Sequence, residues 1–231
     1  ILNKNNRGAI GVQEFDAFCN LAQADLFENL FYRLNKHTNN QTKKYTNSEY
    51  ADLVQNIQEQ IDVFATYSTP SNFTYNTPNN VYSYIGNDFY RTEGLTLINA
   101  AGKRRDIQEV HKGFELNIAL NSRDNAPTMT YPIYTKIGNS YRVYPSLTSG
   151  YSLELFYIRK PKEVKWSYVL DGSGNPLYNA SASDLQDFEF LEAMFPLLVA
   201  KILSYAGLSI KENDVVQIVE NESDKIEQKQ S

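Results

Sequence analysis

The hydrophobic positions of this chain change period twice, from helical to alternating and back again. From Val12 the apolar residues Phe15, Phe18, Ala22, Leu26, Leu30 and Leu34 recur every three or four positions, the stripe of an amphipathic helix, and Phe27 and Phe31 widen it. A stripe that wide predicts a helix packed on more than one neighbour. The polar run Lys36 to Lys44 reads as a loop. Asn47 and Ser48 are then candidate N-caps for a second helix, with Tyr50, Leu53, Val54, Ile57, Ile61 and Phe64 on its apolar side. Together these elements predict an antiparallel helical hairpin over 12–67, followed by a Pro- and Asn-rich loop over 68–80.

Strand character begins near Val81. Val81 to Ile85, Phe89 to Arg91, Leu95 to Ile98, Ile133 to Ile137, Tyr141 to Tyr144 and Leu153 to Ile158 are short segments rich in Tyr and β-branched residues. Gly, Asn, Asp and Pro break them apart, as strands and hairpin turns require. Ile107 to Leu120 is expected to hold a short helix running into extended chain. Trp166 to Leu170 reads as a further strand with Asp171 to Asn175 as the loop beyond it. The block 81–170 is therefore predicted to be an antiparallel β insertion.

Helical spacing returns near Phe195, because Pro196 is tolerated in a first turn and not in a helix interior. Leu197, Leu198, Ile202, Leu203 and Tyr205 make this returning core helix, 195–206, apolar nearly all round, and Gly207 is a candidate left-handed cap. The tail 209–231 holds three Lys and six acidic residues and carries the thin apolar stripe Val215, Val216, Ile218 and Val219. It is expected to dock on a neighbour, as an extended or helical segment. The predicted class is α+β in a single domain. Two N-terminal helices and one C-terminal helix form a bundle, and an antiparallel β subdomain is inserted between them.

Charge narrows the functions. With 231 residues, a net charge of -5 and a pI near 5.2, the chain is not expected to embrace nucleic acid over its whole surface. Two basic clusters stand out: Lys103, Arg104 and Arg105, and then Arg159, Lys160, Lys162 and Lys165. They form a solvated rim, or a surface that meets acidic faces of a neighbouring subunit or a passing DNA backbone. Confined basic patches on an acidic chain favour self-association. Cys19 is the single cysteine, which excludes an internal disulfide and a cysteine-based zinc set. No apolar run reaches the roughly 18 residues of a membrane span, and no membrane partner is expected.

Candidate chemistry is sparse. Asn3 to Glu14 has the outline of a calcium loop, with Gly8 and Glu14 in place, but Asn3, Asn5 and Arg7 stand where carboxylates are needed. It reads as a turn feeding a helix. Gly172-Ser173-Gly174 is a turn without a helix close behind it, not a phosphate cradle. Glu163-Val164-Lys165 matches half of a metal-dependent nuclease pattern, with no acid on a preceding strand to complete it. His37 and His111 have no adjacent motif. No catalytic, cofactor-binding or metal site is expected.

Several segments in order carry a family resemblance. They are Gln13-Glu14-Phe15, Ala22-Gln23, Phe27-Glu28-Asn29, Arg104-Arg105-Asp106-Ile107, Glu109-Val110, Tyr131-Pro132-Ile133-Tyr134 and Tyr144-Pro145. Tyr157-Ile158-Arg159-Lys160-Pro161, Trp166, Tyr178-Asn179, Asp187-Phe188-Glu189, Lys201-Ile202-Leu203 and Ala206-Gly207-Leu208 complete them. Taken together they resemble the head-to-tail connector or ring proteins of tailed bacteriophages, especially crAss-like podoviruses. The resemblance implies a non-enzymatic virion protein, assembled in the host cytoplasm. It implies a ring of identical copies, roughly twelve-fold like the portal above it. Its partners would be the portal, other tail or ring proteins, and DNA that passes through the channel without sequence-specific binding. Another virion accessory component without a channel role, such as a tail adaptor or a cargo- or scaffold-like protein, is the alternative. In the resembled family the last core helix is expected to open on polar, acidic residues, whereas Glu192-Ala193-Met194-Phe195 is more apolar.

Overall fold

The computed structural model describes residues 10–41, 48–76, 80–111, 113–124 and 126–209. Among them the chain is mixed α+β, with four α-helices and a large curled sheet of eight strands. In chain order the elements are α1 (Val12–Gln41), α2 (Ser48–Asp62), β1 (Ala65–Tyr67), β2 (Phe73–Asn76), β3 (Val81–Tyr84), β4 (Phe89–Ile98) and β5 (Arg104–Glu109). Then come α3 (Phe114–Asn121), β6 (Ile133–Ile137), β7 (Ser140–Tyr144), β8 (Ser152–Arg159), β9 (Tyr168–Leu170), β10 (Pro176–Tyr178) and α4 (Phe195–Ser209). The contacts divide the chain into two units: Ile1–Val63 with Pro161–Ser231, and Phe64–Lys160.

In the first unit, the Glu14 carboxylate accepts the Gly11 N–H at 3.1 Å and closes the start of α1. The wide stripe of α1 buries Cys19, Ala22, Leu26, Phe27, Leu30 and Phe31, and the helix packs on both α2 and α4. It does not stop at Lys36 but continues to Gln41, because Lys, Thr, Asn and Gln only weaken a helix where Gly or Pro would break it. Ile57 and Ile61 of α2 are buried, as are Leu197, Leu198, Ala200 and Ala206 of α4. Pro196 sits in the first turn of α4, where it removes no internal hydrogen bond. The helix runs past Gly207 to Ser209, and Gly207 is buried inside it rather than capping it.

The second unit is the curled sheet, in the order β1-β8-β4-β5-β6-β7-β3-β2. Three expectations are corrected here. Residues 65–67 form edge strand β1 against β8, and Phe64 leaves the helical stripe to accept Arg159 N–H on its carbonyl at 2.9 Å. The stretch 68–80 is not all loop: a 3-10 turn over Pro70–Asn72 leads into β2, which pairs with β3. The segment 107–120 runs strand then helix. Gly113, at φ 91°, breaks the chain between β5 and α3. That helix changes the sheet. A parallel neighbour needs a crossover rather than a hairpin, and the crossover through α3 makes β5 and β6 parallel in an otherwise antiparallel sheet.

Two register shifts in β4 opposite β8, one of them beside Gly94, bend the sheet. The inner rows thereby meet: Tyr84 of β3 donates its hydroxyl to that of Tyr157 on β8 at 2.7 Å, and Thr92 of β4 and Tyr141 of β7 are 2.7 Å apart. Leu95, Leu97, Ile107, Val143, Leu153 and Leu155 fill the space between these tyrosines. A buried hydroxyl needs a partner. Tyr157 donates to Asp88 Oδ2 at 2.9 Å and Tyr134 donates to Glu109 Oε2 at 3.1 Å. Burial holds the Tyr84, Tyr134 and Tyr157 hydroxyls above the usual tyrosine range and pushes Tyr141 up to about 12. A Cβ on Gly86 would fall 2.2 Å from the Tyr84 hydroxyl, so the loop after β3 needs glycine to let that ring pass.

Candidate interaction surface

The chain enters the first unit at Pro161 and is clipped along α1. Gln23 Nε2 donates to the Lys162 carbonyl at 2.7 Å. Asn20 holds both backbone groups of Val164, its Oδ1 accepting the N–H at 2.7 Å and its Nδ2 reaching the carbonyl at 3.0 Å. Asp16 Oδ1 accepts the Trp166 N–H at 2.9 Å. Positions 16, 20 and 23 share a helix face through their spacing of four and three, and 162, 164 and 166 share one edge of an extended chain. Helix side chains thus take the place of a neighbouring strand. On the other edge, Lys165 and Gln186 exchange backbone hydrogen bonds at 3.0 and 3.2 Å, and Val164 is buried between.

Above this clip stands the hairpin β9–β10. Leu170 pairs with Pro176, Val169 with Leu177 and Tyr168 with Tyr178. The loop is self-sufficient. Asp171 Oδ1 accepts the N–H groups of Ser173 and Asn175, both at 2.8 Å, which holds its carboxyl below the usual range, and Gly174 takes φ 82°. Trp166, Tyr168 and Leu170 follow one another on one face, and Trp166 stacks on both Tyr168 and Tyr178 with ring centres 5.8 and 6.4 Å apart. Phe15 of α1 meets Trp166 edge-on at 6.4 Å. All six strand residues are exposed, Leu170 by 64%, Tyr178 by 57% and Leu177 by 54%. On the outer side of this unit Leu191, Phe195 and Val199 are exposed as well. A pair of strands apolar on both faces, with Trp166 stacked on its tyrosines and every strand residue still exposed, is the shape of a docking element.

The basic clusters are not brought together as continuous patches. Lys103 lies exposed in the β4–β5 turn. Arg104 and Arg105 open β5 and therefore point to opposite faces: Arg104 pairs with Glu154 at 3.1 Å, and Arg105 donates to the Met129 carbonyl at 3.2 Å. In the second cluster the guanidinium of Arg159 covers the Phe64 ring and Lys160 is exposed, both in the β unit. Lys162 and Lys165 belong to the helical unit. Lys162 N–H donates to Glu189 Oε2 at 2.9 Å, and Lys165 Nζ meets Asp184 Oδ2 at 2.6 Å. Asp184 also accepts the Ser167 hydroxyl at 2.7 Å. Lys165 first and Ser167 second hold its carboxyl below the usual range.

The Lys165 of the nuclease-like triplet pairs with Asp184, and its Val164 is core. His37 is half-buried in α1, its pKa lowered by burial and by Arg33 and Lys36, and His111 is exposed after β5. Cys19 is buried, which pushes its thiol up to about 12, with Asp16 adding to the effect. Among the described residues no group of three or more His, Cys, Asp or Glu side chains is arranged to hold a metal ion, and no helix is long and apolar enough to cross a membrane. The tail residues Val215, Val216, Ile218 and Val219, and the first residues of the calcium-like loop, lie outside the described residues.

The sequence reading missed the return strand β10 and the polar ladder Asp16, Asn20 and Gln23. A signal for the ladder was present, since Gln23 falls on the apolar stripe of α1 beside Ala22 and Leu26 and is 4% exposed. No protein-family model matches the chain, and no curated protein matches it either.

Proposed function

We propose that this chain is a structural virion protein of a tailed bacteriophage, forming an oligomeric ring in the head-to-tail connector or tail that continues the DNA channel below the portal. In this reading the helical unit is a bundle of α1, α2 and α4, the β unit is its inserted subdomain, and the tail docks on a neighbour. The observation that carries it is the uncovered apolar hairpin β9–β10, held on a base that satisfies its own backbone. A self-sufficient base beneath an apolar projection is what a repeating subunit contact requires.

Two further features support the reading. Arg104, Lys162 and Lys165 are engaged by Glu154, Glu189 and Asp184, which offsets part of the charge of the two basic clusters, while Lys103 and Lys160 stay exposed. Less positive charge is then left to hold a passing DNA backbone in place. The buried tyrosines of the β interior are spent on structural hydrogen bonds, as in the Tyr84–Tyr157–Asp88 chain, which fits a building block.

Negative-stain imaging of the purified chain, alone and with its cognate portal, tests the proposal. Rings of about a dozen subunits seated on the portal are expected. A monomer that ignores the portal would turn the assignment to an accessory or adaptor protein without a channel.

A further inference from the structure

A closed ring of identical chains needs two different surfaces on each copy, one for each neighbour. The helical unit carries two apolar surfaces of different kinds. We propose that the β9–β10 hairpin of one copy packs on the outer side of α4 of the next copy, in a head-to-tail contact that repeats around the ring; this rests on the connector reading above.

Area is the first argument. Large exposed side chains present roughly 150–250 Å² each. The hairpin's Tyr168, Val169, Leu170, Leu177 and Tyr178, each about half uncovered, therefore leave on the order of 500 Å² of apolar surface open. That lies at the upper end of what a monomer leaves exposed, and is more than half of the roughly 800 Å² that one partner brings to a standard interface. A two-stranded hairpin is also marginal in water unless something covers it.

Charge and geometry select the occupant. The strands β9 and β10 contain no charged residue, and Lys201, the one charge of α4, is engaged with Asp25. Neither the two strands nor α4 asks its partner to desolvate an unpaired ion; Glu192 is exposed in the turn that carries the row back to Leu191. Trp166, Tyr168 and Leu170 recur along the extended chain about every 6.6 Å, while Phe195 and Val199 recur along α4 about every 6 Å, with Leu191 in the turn just ahead. A row on the sheet can therefore lie along a row on the helix for its full length. Pairing hairpin with hairpin would instead close at two copies and leave the α4 face open.

The test uses the full chain with Leu170→Glu in the hairpin or Val199→Glu on α4, followed by sedimentation velocity. Each variant alone is expected to remain monomeric. An equal mixture is expected to form dimers and nothing larger, because one intact hairpin then meets one intact helix face. Leu170→Thr keeps the strand propensity and is expected to weaken assembly about tenfold, which separates lost contact from lost folding. Circular dichroism should match the unsubstituted chain in every case. Rings formed by either Glu variant would overturn this contact and leave the connector reading standing. A mixture of folded variants that stays monomeric would overturn the head-to-tail pairing. An unsubstituted chain that never assembles, with or without its portal, would overturn both.

Discussion

Two hairpins in this molecule, β6–β7 and β9–β10, are built from similar residues and end in opposite environments. Both are Tyr-rich and antiparallel, and both turn on a glycine of positive φ, Gly138 at 62° and Gly174 at 82°. The first has a two-residue turn and, on β7, alternates in burial: Tyr141 and Val143 are buried, with Ser140, Arg142 and Tyr144 between them partly exposed. The second has a five-residue loop and no alternation at all; every strand residue is apolar and every one is exposed. Alternation tells a strand which side faces its own core. A uniformly apolar strand asks to be covered on both sides, and a chain that offers it only Trp166 leaves most of that work to another molecule.

The comparison breaks most sharply at its buried member. Tyr141 is 0% exposed, and Tyr141→Ala is expected to destabilise the β unit by about 3–5 kcal/mol in urea unfolding, through the cavity it leaves. Leu177→Ala in the exposed hairpin should change stability by no more than about 0.5 kcal/mol. A large stability loss from Leu177→Ala would mean that the hairpin is covered within its own chain.

The clip beneath the hairpin comes next. Asn20→Ala leaves the Val164 N–H and carbonyl without the side chain that holds them, at a cost of about 2 kcal/mol. Trp166 is the only tryptophan, so its emission reports this region alone. A red shift should appear in Asn20→Ala and be absent in Tyr141→Ala at denaturant levels that leave the helical unit folded.

Removing only a hydroxyl sharpens the contrast further. Tyr141→Phe gives up the contact with Thr92 for about 1 kcal/mol. Because burial raises the folded pKa of Tyr141 to about 12, its contribution is complete below the ordinary tyrosine value near 10. It is lost as pH rises from there toward the folded value. Ultraviolet titration should show the buried tyrosines ionising together with unfolding. Tyr141→Phe should make stability fall less steeply over the same range.

The smallest effect is electrostatic. Asp184 has a folded pKa below its ordinary value, so its contribution to the root of the hairpin is present at neutral pH and lost as the solution is acidified through the lowered pKa. The Trp166 signal should shift at that acid end, and Asp184→Asn should remove the shift.

How much of this was legible beforehand follows the same division. The stripe of α1, the start of α4 beside Pro196 and most strands of the sheet were visible as periodicity, because each buries one side against its own chain. The curl was not visible. It depends on irregular pairing around Gly94 and on Tyr84 reaching Tyr157 across the sheet, both long-range facts that no local pattern encodes. Nor was the crossover through α3, whose apolar run Phe114 to Leu120 reads equally as helix or strand and contains no buried residue. At the candidate surface, Tyr168 to Leu170 was readable as a strand, but its exposure was not. Lys162 and Lys165 looked like a free basic patch because their partners, Glu189 and Asp184, arrive 27 and 19 residues later.

The central claim is that this chain is a ring-forming virion component, and its mass in solution tests that most directly. Mass photometry of the purified protein over a range of concentrations, with and without its cognate portal, should show a closed species of about a dozen 26.4 kDa chains that does not grow further. A species that stays at 26.4 kDa under every one of these conditions would contradict the claim.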